Sequence, residues 1–442
     1  MSAPAPIHPL LRAAFGALDE AGVRWALLRG EARLADPSGD VDLLVAPEDL
    51  DRMQSALAPL AIVPVERWGG SHRLFFGYDP GTDRWIELDA EPDLDYGPQA
   101  SFLVNWLLPA LRTHAGPGCL ARRRQVGGVW VLDPDDAFWT LLLHCIVDKR
   151  AVAERHRGRL MELAAEATPG GQIGRRVGLA CPPGWDAARV IGAARNGEWD
   201  ALVALGAEIP RRAAARHPVA SRATGFAQGV GRLGATAARM RRGRGFSVAL
   251  LGPDGSGKST LSSGLVEHLG VPARLVYMGL WQGEEGQERS IAQAGLATAK
   301  RPLKVWRRYL ESRYHRARGR IVIFDRHVYD ALLPPEPPLV AAKRVFFGFL
   351  AHSAPGPQLT LVLDVPSEVA ARRRPDEDPG RLGRLRDQYL ALAGRLPHAE
   401  VVPAEGTPDE VRIEATNRIW RAYARRRSGR PLRGADDGQA EG

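Results

Sequence analysis

Residues 246–260 read FSVALLGPDGSGKST, and this stretch decides the fold of the second half of the chain. A mostly apolar run leads into a loop with the pattern Gly-x-x-x-x-Gly-Lys-Ser, which predicts a phosphate-binding loop between a strand and a helix. The glycines of such a loop let backbone N–H groups point at phosphate oxygens. The residues expected to bind ATP are Gly252, Asp254, Gly255, Ser256, Gly257, Lys258, Ser259 and Thr260.

Two side chains of this loop carry specific roles in the prediction. Lys258 is expected to neutralise the β- and γ-phosphates, and the Ser259 hydroxyl is expected to bind Mg²⁺. A chance glycine-rich turn is the alternative. It is disfavoured because lysine and serine both follow at the required spacing after an apolar strand.

A second motif, IVIFDRH, occupies residues 321–327. Four apolar residues followed by Asp325 place a carboxylate at the carboxyl end of a buried strand, where α/β sheets bind their ligands. We expect Asp325 to meet Mg²⁺ directly or through water, and Arg326 to offer a bidentate fork to a phosphate. An ordinary salt bridge at the strand end is the alternative.

Arginines cluster in LVLDVPSEVAARRRPDEDPGRLGRL, residues 361–385. Ser367 is expected to cap a helix after Pro366. The helix ends in Arg372, Arg373 and Arg374, which lead through an Asp/Pro/Gly-rich loop to Arg381 and Arg384. A mobile loop of this kind can close over a transferring phosphoryl group and stabilise its charge. A solvated run of charge is the alternative.

The order of apolar runs after residue 246 predicts an α/β fold. The expected strands are FSVALLG, ARLVYMG, RIVIFDR, QLTLVLDV and HAEVVPA. Because these runs are nearly continuous in apolar character, we expect a parallel five-stranded sheet covered by helices on both faces.

These segments together resemble the thymidylate kinase family, over roughly residues 246–424. The resemblance rests on GPDGSGKST, IVIFDRHVYD, and LVLDVPSEVAARRR followed by RDQYLALA. It implies that Asp254 contacts the nucleoside sugar and Arg326 grips the acceptor monophosphate. It also implies that arginines among Arg372–Arg374 and Arg381 assist transfer from ATP·Mg²⁺.

The sequence departs from the family pattern at three places. The loop begins Leu250-Leu251-Gly252 where the family has Phe-Glu-Gly, and VYMGLWQGEEG stands where the family has Glu-Pro-Gly-Gly. The base-reading arginine has only Arg308, Arg313 and Arg316 as loose candidates. The resemblance implies a nucleoside monophosphate as acceptor, and these departures mean that thymidine monophosphate is not singled out. A sugar or another small metabolite is the alternative.

Acidic residues recur on two strands in the first third of the chain. Asp40 immediately precedes VDLLVA and Asp42 is its second residue, while Glu87 and Asp89 lie in WIELDA. Alternate residues of a strand face the same side, so each pair converges. We expect Asp40, Asp42 and Asp89 to form a Mg²⁺ site of the type that nucleotidyl transfer needs.

This part resembles, loosely and over about residues 10–210, uncharacterised members of the nucleotidyltransferase superfamily, although Arg29-Gly30-Glu31 replaces their Gly-Ser pair. Three alternatives stay open: an active transferase, an inactive nucleotide-binding relic and a plain structural domain. His144 lies on an apolar helical face, where a hydrogen-bonded core histidine is expected rather than a metal ligand.

The 442 residues exceed what one core supports, so several domains are expected. We predict an α+β domain over 1–132, a helical extension over 133–212 and a basic linker over 213–245. The phosphate-binding domain is predicted over 246–427, followed by a disordered tail over 428–442. The helical extension begins at an N-cap signature, Asp133-Pro134.

Composition and charge bound the compartment and partners. The three cysteines are far apart, and neither a secretory leader nor an 18-residue apolar run is seen, so a cytoplasmic protein without membrane contact is expected. The net charge is +9, and nine arginines but no acidic residue lie between Glu208 and Asp254. Nucleotide substrates are the expected partners. A homodimer, and a nucleotide-gated binding protein that holds nucleic acid through its basic linker, are open alternatives.

Overall fold

The computed structural model describes residues 6–37, 39–65, 72–97, 110–216, 245–279, 291–335, 337 and 339–429. They form two compact units. The amino-terminal unit includes described residues 6–79 and 85–216, and the carboxy-terminal unit includes 245–427 with the short segment 80–84. Apart from their end residues, the predicted linker 213–245 and tail 428–442 lie outside the described residues.

The described residues of the amino-terminal unit form nine strands. They are β1 Trp25–Leu27, β2 Asp40–Val45, β3 Val63–Pro64, β4 Arg73–Asp79, β5 Arg84–Glu91, β6 Asp95–Tyr96, β7 Leu111–Arg112, β8 Arg124–Val126 and β9 Val129–Val131. One sheet has the order β3-β4-β5-β2-β1-β9-β8, and β6 pairs with β7 separately. The acidic stretches VDLLV and WIELDA lie in β2 and β5, as the alternation argument requires. The parallel pairing of β2 with β5 sets Asp42 opposite Asp89.

The described residues of this unit also form eight α-helices. They are α1 Pro9–Glu20, α2 Leu50–Leu57, α3 Gly116–Arg122, α4 Pro134–Leu143, α5 Glu154–Glu166, α6 Gln172–Ala180, α7 Ala187–Arg195 and α8 Trp199–Arg216. Asp133 accepts a hydrogen bond from the Asp135 amide, so α4 begins at the predicted cap. The helices from α4 onward share a core around Phe138 and Trp139, which are fully buried.

The carboxy-terminal unit is built on five parallel strands, as the sequence predicts. They are β10 Phe246–Leu251, β11 Ala273–Tyr277, β12 Ile321–Asp325, β13 Leu359–Asp364 and β14 Ala399–Pro403. Their order is β11-β12-β10-β13-β14, and every neighbouring pair is parallel. All six residues of β10 are buried, so both faces of the sheet are covered there. The carboxyl ends of β10 and β12 therefore meet at one edge.

The described helices of this unit are α9 Lys258–His268, α10 Ile291–Ala317, α11 Val340–His352, α12 Ser367–Arg373, α13 Pro379–Ala393 and α14 Pro408–Ser428. The predicted cap of α12 is wrong by one residue, because Pro366 occupies the N-cap position and the Ser367 hydroxyl donates to Glu368 instead. In the described part of the chain, no helix combines the length and apolar character needed to cross a membrane.

Candidate functional sites

The loop from Gly252 to Ser259 has a conformation that requires its glycines. Gly252, Gly255 and Gly257 have φ values of 148°, 80° and 86°. A Cβ atom on Gly252 would lie 2.9 Å from Ser256 Oγ, and one on Gly255 would lie 2.9 Å from the Ala370 carbonyl oxygen. The loop leads directly into α9, whose first residue is Lys258. Its backbone amides can therefore point at an anion placed before the helix.

Lys258 is buried beneath this loop. Its Nζ donates to the carbonyl oxygens of Gly252 and Pro253, each at 2.8 Å, and lies 3.9 Å from Asp254 Oδ1. Burial lowers the pKa of Lys258 to about 8, with the neighbouring Arg326 guanidinium as the next cause. The ammonium group is thus held at the loop before any phosphate arrives.

Ser259 and Asp325 meet at the edge of the sheet. The Ser259 hydroxyl donates to Asp325 Oδ2 at 3.2 Å. The contact follows from the parallel pairing of β10 with β12, which sets Leu250 opposite Asp325. A hydroxyl and a carboxylate are hard oxygen ligands of the kind Mg²⁺ prefers, so this pair fits the ion. Thr260 follows as an exposed residue of the first turn of α9.

Arg326 connects the loop with a neighbouring cleft. Its Nη2 donates to Asp254 Oδ1 at 2.7 Å. The residue has a φ of 63°, which is uncommon outside glycine. Asp254 therefore orients the guanidinium from the loop side.

The predicted arginine cluster divides in the structure. Arg373 reaches the loop, with Nη1 3.5 Å from the Gly255 carbonyl oxygen. Arg381 pairs with Glu377 at 2.9 Å and lines the cleft, as does Arg384. Arg372 and Arg374 are exposed at the end of α12, and neither is among the described residues lining the cleft.

The cleft has a volume of about 720 Å³ and a strongly cationic lining. Its cations are Arg301, Arg326, Lys343, Arg381 and Arg384. Its apolar wall consists of Ala331, Leu333, Pro334, Pro335, Phe347 and Leu385. Helix α10 contributes Arg301 to this lining, whereas the candidate base-reading residues Arg308, Arg313 and Arg316 are not among its described lining residues. The stretch VYMGLWQGEEG stands where the family has Glu-Pro-Gly-Gly. Its first four residues are described, and those from Leu280 onward lie outside the described residues.

Asp330 and Tyr389, which meet in the cleft, are among the lining residues missed as site residues. Tyr389 Oη donates to Asp330 Oδ1 at 3.0 Å. Burial raises the pKa of Asp330 to about 6, although Lys258 and Arg326 oppose the rise. Both residues belong to segments that carry the family resemblance, IVIFDRHVYD and RDQYLALA, which was the available signal.

In the amino-terminal unit, the structure brings together the three predicted carboxylates. Oxygen atoms of Asp40, Asp42 and Asp89 all lie within 4.8 Å of one another. Arg29 Nη2 lies 2.7 Å from Asp42 Oδ1. Burial is the main reason that the pKa of Asp42 is raised to about 6, and the nearby Arg29 charge opposes it. Glu87 pairs in register with Asp40 and is outside this group.

A second group adjoins the first and was not predicted. His72, Asp89 and Glu91 also place one ligand atom each within 4.8 Å of the others. His72 Nδ1 lies 3.1 Å from Asp89 Oδ1. Burial raises the pKa of Glu91 to about 7. Glu91 could have been found from WIELDAE, since it follows Asp89 by two residues and shares its face.

His144 is half-buried at the first residue of a π-helical turn, His144–Lys149. Its Nδ1 lies 3.4 Å from Asp148 Oδ2. Burial lowers the pKa of His144, and the hydrogen bond with Asp148 acts in the opposite direction. The histidine belongs to neither of the two groups of candidate ligands among the described residues.

Comparison with known proteins gives a match to one kind of enzyme. No protein-family profile matches this chain. Two thymidylate kinases, from two strains of Cereibacter sphaeroides, are each 33% identical to it over 203 residues. The match covers 93% of each kinase and 39% of this chain. Nearly a whole thymidylate kinase therefore has its counterpart in less than half of the sequence.

Proposed function

This chain belongs to the thymidylate kinase family, and from that premise we propose that its carboxy-terminal unit transfers the γ-phosphoryl group of ATP to a nucleoside monophosphate. One observation carries the proposal. Arg326 donates to Asp254 of the phosphate-binding loop and also lines the cationic cleft. The proposed ATP site and the proposed site for an anionic acceptor are therefore neighbours, and the Arg326 side chain belongs to both.

The donor half is assigned to the loop. Backbone amides and Lys258 hold the β- and γ-phosphates, and Ser259 with Asp325 holds the magnesium ion that accompanies ATP. The bound ion supplies charge neutralisation between the phosphates. Arg373, close to Gly255, adds a cation beside the loop.

The acceptor half is assigned to the cleft. We place the acceptor phosphate at Arg326, with Arg381 and Arg384 closing from α13, and the nucleoside against the apolar wall near Phe347. An acceptor oxygen forms a bond to the γ-phosphorus as the bond from that phosphorus to the β–γ bridging oxygen breaks. The products are ADP and a nucleoside diphosphate. Positioning and charge neutralisation supply most of the catalysis.

An acceptor screen tests this assignment. The full chain is mixed with ATP and Mg²⁺, and ADP formation is measured with each nucleoside monophosphate and, in parallel, with sugars and small hydroxylated metabolites. We expect at least one monophosphate to raise ADP formation about tenfold or more over the reaction without acceptor. If only a sugar raised ADP formation, the ATP site would stand as assigned, but the acceptor would be a sugar and not a nucleoside monophosphate.

For the amino-terminal unit we propose a Mg²⁺-dependent nucleotidyl-transfer site at Asp40, Asp42 and Asp89. The observation that favours it is the convergence of their oxygen atoms within 4.8 Å. Carboxylates packed this closely repel, so a cation that neutralises them stabilises the fold.

We expect Mg²⁺ or Mn²⁺ to raise the melting temperature of the nucleotide-free full chain. At a free ion concentration a hundredfold above Kd, binding adds about 2.7 kcal/mol, which corresponds to roughly 5–10 °C for a unit of this size. The double change Asp40→Asn and Asp42→Asn should remove the response to Mg²⁺, while Glu87→Gln on the same strand as Asp89 should keep it. A wild-type chain indifferent to both ions would leave the relic or structural alternatives.

A further inference from the structure

Asp89 belongs to two groups of candidate ligands at once. On one side it joins Asp40 and Asp42, and on the other it joins His72 and Glu91. The sharing follows from the fold: β2 and β5 pair in parallel, so Asp42 and Asp89 are neighbours, and Glu91 is two residues farther along the same face. His72 immediately precedes β4, and β4 is the other neighbour of β5.

Glu91 is the observation that singles out the second group. It is only 7% exposed, and the described cations that act on it, His72 and Arg29, do so through their charge and not through a hydrogen bond to its carboxylate. A buried carboxylate normally has a charged or hydrogen-bonding partner, because burial without one is costly. The oxygen of Glu91 instead lies within 4.8 Å of a histidine nitrogen and an Asp89 oxygen.

The surrounding charges do not balance. Four carboxylates converge here, Asp40, Asp42, Asp89 and Glu91, and the cationic groups next to them are Arg29 and His72. Arg29 forms an ion pair with Asp42 at 2.7 Å, and its charge also acts on Glu91. Among the described residues, two cations, Arg29 and protonated His72, face four anions, so this part of the cluster retains negative charge that a divalent cation can neutralise.

Ligand chemistry then selects the class of ion. An imidazole beside two carboxylates suits zinc, manganese and related divalent transition metals, whereas Mg²⁺ is bound mainly by oxygen. Metal–ligand distances of about 2.0–2.2 Å put neighbouring ligand atoms roughly 3.0–3.5 Å apart. The 3.1 Å separation of His72 Nδ1 from Asp89 Oδ1 lies in that range. We propose that His72, Asp89 and Glu91 bind a divalent transition metal ion, beside the proposed magnesium position and sharing Asp89 with it.

The test is Zn²⁺ binding by the full chain, stripped with EDTA and titrated against a chromophoric chelator in excess Mg²⁺ and without nucleotide. Excess Mg²⁺ occupies the all-oxygen ligands, so the expected result is one tightly bound Zn²⁺ per chain. His72→Gln and Glu91→Gln should each weaken Zn²⁺ binding about tenfold to a hundredfold or more. Removing a residue that only hydrogen-bonds to a metal ligand already weakens metal binding by about that factor, and these two residues are proposed as ligands themselves. Circular dichroism checks that both variants fold, and Glu91→Gln is isosteric.

Matched variants separate this proposal from the nucleotidyl-transfer site. His114 is an exposed histidine 3.3 Å from Asp93, so His114→Gln controls for loss of a histidine paired with an aspartate and should leave Zn²⁺ binding unchanged. Asp40→Asn removes a ligand of the magnesium group alone and should keep the Zn²⁺ ion. Absence of stoichiometric Zn²⁺ binding, or equal affinity in the wild type and in both His72→Gln and Glu91→Gln, overturns the proposal. Loss of the Mg²⁺ response with Zn²⁺ binding retained would remove only the magnesium site.

Discussion

Replacing Lys258 with alanine is expected to lower the rate of phosphoryl transfer about a thousandfold or more. Two loop carbonyl oxygens at 2.8 Å hold the ammonium group at the loop, where we expect the β- and γ-phosphates to bind. Removing one preorganised charged donor from a transferring centre costs about a hundredfold to a thousandfold, and here ATP binding suffers as well. The measurement is ADP formation with the best acceptor, and circular dichroism checks that the fold is intact.

A control variant and the pH dependence of ATP binding test whether the effect comes from the Lys258 charge. Lys149→Ala removes an exposed lysine of the other unit and should leave the rate of phosphoryl transfer unchanged.

Because the pKa of Lys258 is lowered by burial to about 8, the free protein loses this charge as pH rises through 8. ATP favours the charged form, so wild-type ATP affinity should be level below pH 8 and fall by up to about tenfold per pH unit above it. The alanine variant should lack that fall, and wild-type turnover by it would refute the loop's assignment.

Replacing Arg326 with alanine is expected to lower kcat/KM for the acceptor about a hundredfold to a thousandfold. The guanidinium is held by Asp254 at 2.7 Å and faces the cationic cleft, where we place the acceptor phosphate. A fork that binds a phosphate with two hydrogen bonds is both strong and specific in geometry. ATP affinity should change less than about threefold, since Lys258 and the loop amides remain. Steady-state kinetics varying each substrate, with direct ATP titration, gives both quantities.

Arg326→Lys and Arg274→Ala serve as its controls. Lysine keeps the charge but loses the planar fork, so it should recover only part of the activity. Arg274 is exposed on β11, and its loss should have no effect. If Arg326→Ala lost affinity for ATP and kept its affinity for the acceptor, the assignments of the ATP site and the acceptor site would have to be reversed.

Much of the carboxy-terminal unit could be predicted because its signals are local. Strands buried on both faces need continuous apolar runs, and the five runs gave five strands. The loop motif specifies its own conformation, as the positive φ angles of Gly252, Gly255 and Gly257 show. Asp325 could be placed because a strand-end carboxylate in a parallel sheet points to the same edge as the loop.

What the sequence did not reveal depends on contacts between distant segments. Asp330 and Tyr389 are 59 residues apart, and their contact requires that α13 pack beside the segment after β12. Arg301 and Lys343 join the cleft from two different helices. In the amino-terminal unit, alternation predicted which carboxylates share a face and extends to Glu91, but the addition of His72 depended on the packing of β4 beside β5. Strands β6 to β9 have only two or three residues, too few for alternation to be recognised.

The most direct test of the central claim follows the label of [γ-³²P]ATP in a reaction of the full chain with Mg²⁺ and the nucleoside monophosphates. If the carboxy-terminal unit is a nucleoside monophosphate kinase, the label must appear as the β-phosphoryl group of a nucleoside diphosphate, and Lys258→Ala must not produce it. Release of the label only as inorganic phosphate, or its transfer only to an acceptor that is not a nucleotide, would contradict the account.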